Sequence, residues 1–453
     1  MTTNQSVFAA TAIAITLLVG ALIPGSNLQN ADRAGDSTKS QPSSISDQAL
    51  FARNLSQVQQ LNRLFPLQLA SIDKTKQRIG NRLHASFPVQ DPLKGKALST
   101  GRTVVSLVIN SDDLNDQVLG LIPNNIEKGL AWERPGLLSI YRDQRLVLQA
   151  RAGIRIHGGF PGDTSPSSFR LYFREAYGAP SEKMAAVIPG APGPLRRLII
   201  NKTDPAFRNP IAFDISRKIG GIAPHTAVST FYLNGISQGT RLLIEHISID
   251  FLETRFGHRD FTFLRMKGGT RAGHGSRWQV LTERFGRQEQ LQMSDAEAAI
   301  DIENLMRQYA AFLICGTGDA FQGGIVKDDR KPTNRWFFVN WDMEDSFRAE
   351  ITPDYFEHLG YGPPAPPVLR PALWRKLRED PAFRVRFSEF VTNLFDTKLT
   401  PQWLDTTITH YRREAIAHGI IGQDDLDQVE QFLRNQPNIL RKLMAESFAS
   451  EAT

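Results

Sequence analysis

The hydrophobic pattern of this chain changes once, near residue 290, and that change constrains the fold more than any other feature. Between Thr103 and about Gly269, short β-branched and apolar runs recur, and Phe169–Glu175 alternates apolar with charged residues as a half-buried strand does. From Asp295 onward the apolar residues follow helical spacing. Because the strands precede the helices, the sequence predicts an α+β fold with a strand-rich N-terminal part and a helical C-terminal part.

Three local signals make this prediction more specific. Asn234-Gly235 separates two strand-like runs and predicts a hairpin turn. The run from Asp295 to Cys315 is predicted as one helix capped at Ser294. The aromatic run Arg335–Asp342 is predicted as a strand that delivers Asp342 at its end.

Composition excludes some classes of protein. With 453 residues the chain is long enough for two or three lobes. Its net charge of +6 is spread thinly, in short clusters such as Arg370–Arg378, so it does not indicate a nucleic-acid-binding stripe. Cys315 is the single cysteine, which excludes an intramolecular disulfide, and it lies in an apolar run that predicts burial.

The N-terminus carries a targeting signal. Val7–Ile23 has no charged residue, so residues 1–25 are predicted to be a membrane anchor or signal segment. A polar stretch over residues 26–47 predicts a flexible linker, and residues 48–100 predict a helical stalk or packing segment. We therefore expect the protein to be membrane-anchored or exported, with the rest of the chain extracytoplasmic.

Six segments, taken in order, carry a resemblance to a known family: Arg155–Gly159, Ser167–Gly178, Asn201–Pro224, Phe231–Ile247, Gly316–Gly324 and Arg335–Phe347. They resemble the CotH kinase family, named for the spore coat protein CotH. Each motif is short, and their shared order from about Thr103 to Leu443 makes the resemblance specific. The resemblance implies an atypical protein-kinase-like, two-lobed fold.

The same resemblance divides the chain and implies its activity. It places a leading strand module at residues 101–150 and a kinase domain at residues 151–445, with the N-lobe ending near 290 and the C-lobe beginning near 291. It implies ATP with Mg²⁺ or Mn²⁺, and transfer to serine or threonine of a protein substrate. It implies no nucleic-acid partner beyond ATP itself, and the N-terminal segment would provide the membrane contact.

Phosphoryl transfer requires carboxylates that hold the metal ion and orient the substrate hydroxyl. By resemblance, Asp342 is the metal ligand and Asp319, on a glycine-flanked loop after an apolar helix, is the catalytic base. Glu344 is predicted to share the metal site, because residues two apart on a strand face the same side. The family more often has aspartate at this position.

Residues predicted to bind the nucleotide form a second group. Its members are Arg155, Gly158, Gly159, Arg170, Glu245 and Lys267. By kinase analogy, Glu245 would pair with the lysine that binds the α- and β-phosphates. That lysine is missing from its expected place, where Pro166 and Ser167 stand, so another cation must substitute or the protein is catalytically weak.

Two other functions remain open. An inactive pseudokinase acting as a surface binding or assembly protein would bind nucleotide without turnover, or would not bind it. A glycoside hydrolase would use two carboxylates, such as Asp319 with Asp342 or Glu344, and would release sugar without ATP. The sequence shows no alternation of strands and helices typical of a β/α barrel, which ranks the hydrolase last.

Overall fold

The computed structural model describes residues 88, 90–158, 168–178, 182–204, 207–265, 269–274, 283, 285, 291–318, 322–359, 369–420 and 423–449. The predicted anchor, the linker and most of residues 48–100 lie outside these ranges. Within them, no helix is both long and apolar enough to cross a membrane.

A closed seven-stranded barrel forms the N-terminal part. Its strands are β1 (Thr103–Ile109), β2 (Arg134–Arg142), β3 (Arg145–Ile156), β4 (Phe169–Tyr172), β5 (Arg197–Lys202), β6 (Thr226–Leu233) and β7 (Ile236–Glu245). The strand order is β1-β2-β3-β4-β5-β7-β6, and β1 closes the barrel by pairing in parallel with β6, with Val104 opposite Thr230. Alternate side chains point inward and form a buried apolar cluster that includes Leu138, Ile154 and Phe231.

The leading module and the beginning of the kinase domain share this barrel. Strand β3 crosses the predicted boundary at residue 150, pairing Ala150 with Leu138 of β2 and Ile154 with Leu171 of β4. Because a strand in mid-sheet satisfies its backbone hydrogen bonds on both sides, the chain cannot be divided there. Residues 101–150 are therefore part of one barrel and not a separate module.

The end of the predicted helical segment packs against the barrel as a turn. Residues 92–95 form this turn, and Leu93 is buried against Val104 and Tyr141. The Asp91 carboxylate accepts hydrogen bonds from Tyr141 Oη at 2.5 Å and Ser106 Oγ at 2.7 Å. The helical prediction does not hold for this described part, because Asp91 and Leu93 are fixed by barrel side chains.

A second, four-stranded antiparallel sheet follows the barrel in the order β11-β10-β8-β9. Its strands are β8 (Phe261–Arg265), β9 (Thr270–Ala272), β10 (Gly324–Asp328) and β11 (Trp336–Val339). Gly324 pairs with Arg265 on one side and with Val339 on the other. The start of β10 and the end of β11 therefore lie together, which positions the loop that carries Asp342.

Helices form the remaining structure. They are α1 (Ser111–Asn115), α2 (Arg208–Lys218), α3 (Ile249–Phe256), α4 (Met293–Glu297), α5 (Ile302–Cys315), α6 (Pro353–His358), α7 (Leu369–Leu377), α8 (Pro381–Thr397), α9 (Pro401–His418) and α10 (Gln423–Ala449). Helix α5 lies at the centre of the largest apolar cluster, where Tyr309 packs edge-on against Trp374 at 4.9 Å. Cys315, at the end of α5, is fully buried as predicted.

The predicted helix from Asp295 to Cys315 is wrong in one respect: it breaks into α4 and α5. At the break, Asp301 N donates to Trp336 O at 2.8 Å, so this stretch pairs with β11. The Asp301 carboxylate then caps α5 by accepting from Asn304 N at 2.9 Å. The predicted hairpin is confirmed: Asn234 and Gly235 have φ of 51° and 81°, which is typical of a tight two-residue turn between β6 and β7.

Candidate functional site

A polar pocket lies between the barrel and the four-stranded sheet. The residues that line it and carry its chemistry are His157, Arg170, His246, Arg271, Gly323 and Trp341. Arg170 lies on β4 and Arg271 on β9, whereas His157 follows β3 and His246 follows β7. Gly323 lies just before β10, and Trp341 lies just after β11. Three larger hollows, of about 530, 340 and 550 Å³, lie near Arg335, Trp403 and Val385, and the described residues that line them include none of the predicted site residues.

Positive charge dominates this pocket. Arg170 Nη2 lies 2.7 Å from His157 Nδ1, and within the described ranges the buried Arg170 Nε has no hydrogen-bond partner. Arg271 keeps contact with solvent, yet desolvation by the surrounding protein, together with the charges of Arg265 and Arg170, lowers its pKa to about 10. Of the described residues that line the pocket, none is a carboxylate. The pocket therefore favours an anion.

Lys128 adds a third cation at the rim. Its Nζ donates to Gly158 O at 3.0 Å and to Asn125 O at 3.1 Å. Desolvation and the nearby Arg170 lower the pKa of Lys128 and outweigh the opposing charge of Glu127. Sequence reasoning missed Lys128 because it lies 30 residues before the glycine turn that it contacts. In the sequence, the positive charge of Lys128 is the only feature that could have indicated a role in binding an anion.

The surroundings of both histidines in the pocket favour the neutral form of the ring. Burial, followed by the charges of Arg170, Lys128 and Arg271, lowers the pKa of His157 to about 3. Burial, followed by Arg170, Arg197 and Arg271, also holds the pKa of His246 well below its ordinary value. His246 is 8% exposed, and neither of its ring nitrogens has a hydrogen-bond partner among the residues described.

Asp342 lies on a loop that the rest of the protein holds in place. Asn340 Nδ2 donates to Ser216 Oγ of α2 at 2.7 Å, and Met343 N donates to Asn209 Oδ1 of the same helix at 3.1 Å. Between them, Asp342 adopts a left-handed backbone with φ of 58°. A non-glycine residue in this conformation stores strain, which is common at functional sites.

The reason given for Glu344 does not hold in the structure. Strand β11 ends at Val339, so Glu344 lies in a turn and strand alternation cannot place it beside Asp342. Glu344 is exposed, and its role as a metal ligand stays a prediction. Across the described ranges, no group of three or more histidine, cysteine, aspartate or glutamate side chains is arranged to hold a metal ion.

Two of the predicted nucleotide-binding residues are engaged in ion pairs of the fold. Arg155 donates through Nε and Nη2 to Glu133 Oε2 at 2.9 and 2.7 Å. Glu245 accepts from His225 N at 2.7 Å and from Arg255 Nη2 at 2.6 Å. Burial opposes ionisation of Glu245, but these hydrogen bonds and the charge of Arg255 hold its pKa below the ordinary value.

The glycines of the two loops allow close approach of the chain. Gly158 turns the chain after β3 with φ of 72°, and Gly323 has φ of 112°. A Cβ atom at Gly324 would lie 2.3 Å from Phe263 Cε2, so only glycine fits there. The other predicted site residues, Gly159, Lys267 and Asp319, lie outside the described residues.

Comparison with known proteins assigns the family. The family model described as CotH kinase protein matches residues 154–428, more than half of the chain. No curated protein matches. A solved structure titled as a Helicobacter pylori proinflammatory kinase CtkA aligns with 6% identity and a TM-score of 0.29, over 70% of this chain and 92% of that chain. On the strength of the family match, the chain belongs to the CotH kinase family.

Proposed function

We propose that this protein is an ATP-dependent kinase that transfers the γ-phosphoryl group of ATP to serine or threonine of surface or secreted proteins. The observation that carries the proposal is the positive charge of Arg170 and Arg271 in the pocket beside the Asp342 loop, where no described lining residue is a carboxylate. We also propose a kinase-like two-lobed arrangement, with the barrel as the strand-rich lobe and the nucleotide between the lobes.

The pocket has a volume of about 30 Å³, and its side chains suit a single phosphate group. A guanidinium group presents several N–H donors and binds phosphate oxygens in pairs. Arg170 keeps an unpaired buried Nε among the described atoms, and Arg271 carries a charge that its surroundings disfavour. A bound anion would relieve both costs. These two arginines, with Lys128 at the rim, would replace the lysine that the sequence lacks.

Carboxylates would complete the site. Asp342 supplies a hard oxygen ligand, and Mg²⁺ needs only one or two carboxylates when phosphates and water provide the remaining ligands. When bound there, the metal ion would neutralise charge on the phosphates. Asp319 would orient the substrate hydroxyl and accept its proton. In this proposal Asn209 and Ser216 are positioning residues, because they hold the loop that carries Asp342.

A second candidate is a nucleotide-binding pseudokinase that serves as a surface assembly protein. The pairing of Glu245 with His225 and Arg255 favours it, because the kinase analogy gives this glutamate a lysine partner. Both candidates predict nucleotide binding, and only the first predicts transfer.

Transfer of label from ATP tests the proposal. The full chain is incubated with γ-labelled ATP and Mg²⁺ or Mn²⁺, and label is followed into the protein itself and into a serine-rich acceptor. Asp319→Asn and Asp342→Ala should each reduce transfer by about 100-fold or more, because each removes a group that acts on the reacting atoms. Arg271→Met should weaken ATP binding, and Arg441→Met on exposed α10 should change nothing.

The possible results of this experiment distinguish the kinase from the pseudokinase and can also exclude both. Transfer by the wild type that both aspartate variants lose supports the kinase. A thermal shift with ATP, lost in Arg271→Met and without transfer to any acceptor, supports the pseudokinase. If the wild type shows neither transfer nor a shift, both candidates are wrong.

A further inference from the structure

His246 is in a costly position unless a ligand contacts it. It follows the last residue of β7, is 8% exposed, and neither ring nitrogen has a hydrogen-bond partner among the described residues. A buried polar group without a hydrogen bond destabilises the folded state. Phenylalanine or leucine would fill the same space without that cost, so packing alone does not explain a histidine here.

The charges around His246 determine what it can bind. Arg170, Arg197 and Arg271 face it, and each disfavours a second positive charge on the ring. A neutral imidazole keeps one N–H donor and one acceptor nitrogen. An anion held by Arg170 and Arg271 would lie within the same pocket and could accept that N–H.

The orientation of His157 is fixed by its neighbour. Arg170 Nη2 is always a donor, so His157 Nδ1, at 2.7 Å, must be the acceptor. The proton of the neutral ring is therefore on Nε2. Lys128 and Arg271 also face this ring, which packs nearly perpendicular to the Trp341 ring, next to Asp342, with the two centroids 5.9 Å apart. His157 therefore keeps an Nε2–H donor that its contact with Arg170 does not use.

We propose that His157 and His246 donate imidazole N–H groups to a phosphate group that Arg170 and Arg271 bind between them. This inference rests on the proposed function for the identity of the ligand, a phosphate of a nucleoside triphosphate. A phosphoserine of the reaction product carries the same chemistry, so the experiment includes both. The two histidines add hydrogen bonds without adding charge to a site where arginines already repel each other.

NMR spectra of the histidine rings, recorded on the ¹⁵N-labelled full chain, test this inference. The chain has nine histidines, and the ring nitrogens report the tautomer directly. Without ligand, we expect His157 to show a protonated Nε2, and Arg170→Met should abolish this preference. Inorganic tripolyphosphate is the first probe, followed by ATP and by a phosphoserine peptide. Addition of tripolyphosphate should move the ring signals of His157 and His246.

Substitution separates binding from folding. His246→Phe should weaken tripolyphosphate binding at least tenfold, equivalent to about 1.4 kcal/mol. Its melting temperature without ligand should be equal to or higher than that of the wild type, because an unsatisfied polar ring is removed. A second variant, His246→Leu, shows whether any loss of binding in His246→Phe comes from crowding by the larger phenylalanine ring. His410→Phe, on the exposed face of α9, is the matched control.

The outcomes separate this inference from the kinase proposal. Ring signals that shift with tripolyphosphate, with weaker binding by both His246 variants, support the inference even if no phosphoryl transfer occurs. A stronger response to ATP than to the phosphopeptide assigns the phosphate to the nucleotide, and the reverse assigns it to the product. Unchanged affinity in both variants, or a lower melting temperature with unchanged ring signals, overturns the inference.

Discussion

Glu133 joins three side chains from different parts of the barrel. Its carboxylate, 1% exposed, accepts hydrogen bonds from Arg155, from Arg174 at 2.9 Å and from Tyr177 Oη at 2.7 Å. Arg155 also stacks over the Tyr172 ring at 4.4 Å. Burial alone would raise the pKa of Glu133, but Arg174, Arg155 and Tyr177 together hold it below its ordinary value.

This single carboxylate should make part of the stability depend on pH. Because the folded pKa of Glu133 lies below the unfolded one, its contribution is complete above the ordinary value of 4.5 and is lost as the pH falls through the folded pKa. Glu133→Gln should lower the free energy of unfolding by roughly 3 kcal/mol at neutral pH, since two buried arginine contacts lose their charge partner.

Urea unfolding over a pH series checks this prediction. The difference between wild type and Glu133→Gln should stay constant at neutral pH and shrink below 4.5. Glu446→Gln, on the exposed face of α10, should show no such difference. A wild-type advantage that is the same at pH values above and below that point would contradict the assignment.

At the scale of residues, some members of the candidate site could be predicted from the sequence, but the clustering of positive charge in the pocket could not. Arg170 and the loop of Asp342 were found because motifs place them next to recognisable strands. Lys128, His246 and Arg271 escaped prediction because only the folded chain brings β7, β9 and the residues before β2 to one pocket. For the same reason Arg155 looked available for phosphate, since its partner Glu133 is 22 residues away.

At the scale of elements, α10 stabilises the two loops of the candidate site. Phe347 N, beyond Asp342, donates to Cys315 O at 2.8 Å, which ties this loop to the end of α5. Phe432 of α10 packs edge-on against Phe347 at 5.6 Å. Gly316 ends α5 in a left-handed conformation, and a Cβ there would lie 2.8 Å from Phe432 Cζ. The fit of Phe432 against these loops therefore depends on glycine.

Gly316→Ala should destabilise the protein for two separable reasons. The left-handed backbone costs about 1–2 kcal/mol for alanine, and crowding against Phe432 adds roughly 1–3 kcal/mol. Gly419→Ala is a matched control, because Gly419 also ends a helix with φ of 67° but has nothing within 4 Å of its added Cβ. Denaturant unfolding should show a larger loss for Gly316→Ala than for Gly419→Ala.

A double variant tests the crowding directly. Gly316→Ala with Phe432→Leu should lose less stability than the sum of the two single variants, because the shorter side chain relieves the contact. Equal losses for Gly316→Ala and Gly419→Ala would show that Phe432 moves away freely, and the proposed support by α10 would then be wrong.

Elements were predictable where their signals are local. The Asn234-Gly235 hairpin depends on two residues that accept positive φ, and it formed as predicted. The break between α4 and α5 depends on a long-range contact, since Ile300 bridges to Trp336. Helical spacing over Asp295–Cys315 continues through this break, so the pattern alone could not show it.

At the scale of the whole molecule, the matched family segment begins inside a strand. It starts at residue 154, within β3, whereas the barrel starts at β1. Strand β1 alone connects β2 to β6, and Val105, Leu138 and Ile140 contribute to the barrel core. The strands could be predicted from the sequence, but only the structure shows that β1 and β6 pair in parallel and close the barrel.

A fragment of residues 151–453 should therefore fail to fold. It lacks β1, β2 and half of β3, which opens the barrel and exposes its apolar interior. We expect it to lose the cooperative thermal transition and the near-ultraviolet circular dichroism of the full chain. A fragment of residues 46–453 is the control, because it keeps every described residue. A cooperative transition in both fragments at the same temperature would contradict the barrel as one folding unit.

Closure of the barrel also limits how other chains can attach to this protein. An open sheet presents a row of free amides and carbonyls on which a foreign strand can grow. In the seven-stranded barrel every described strand has a neighbour on each side, and the second sheet ends in edge strands of only three and four residues. Within the described residues, partners and other copies of the chain therefore meet no long open strand edge, which disfavours aggregation by strand addition.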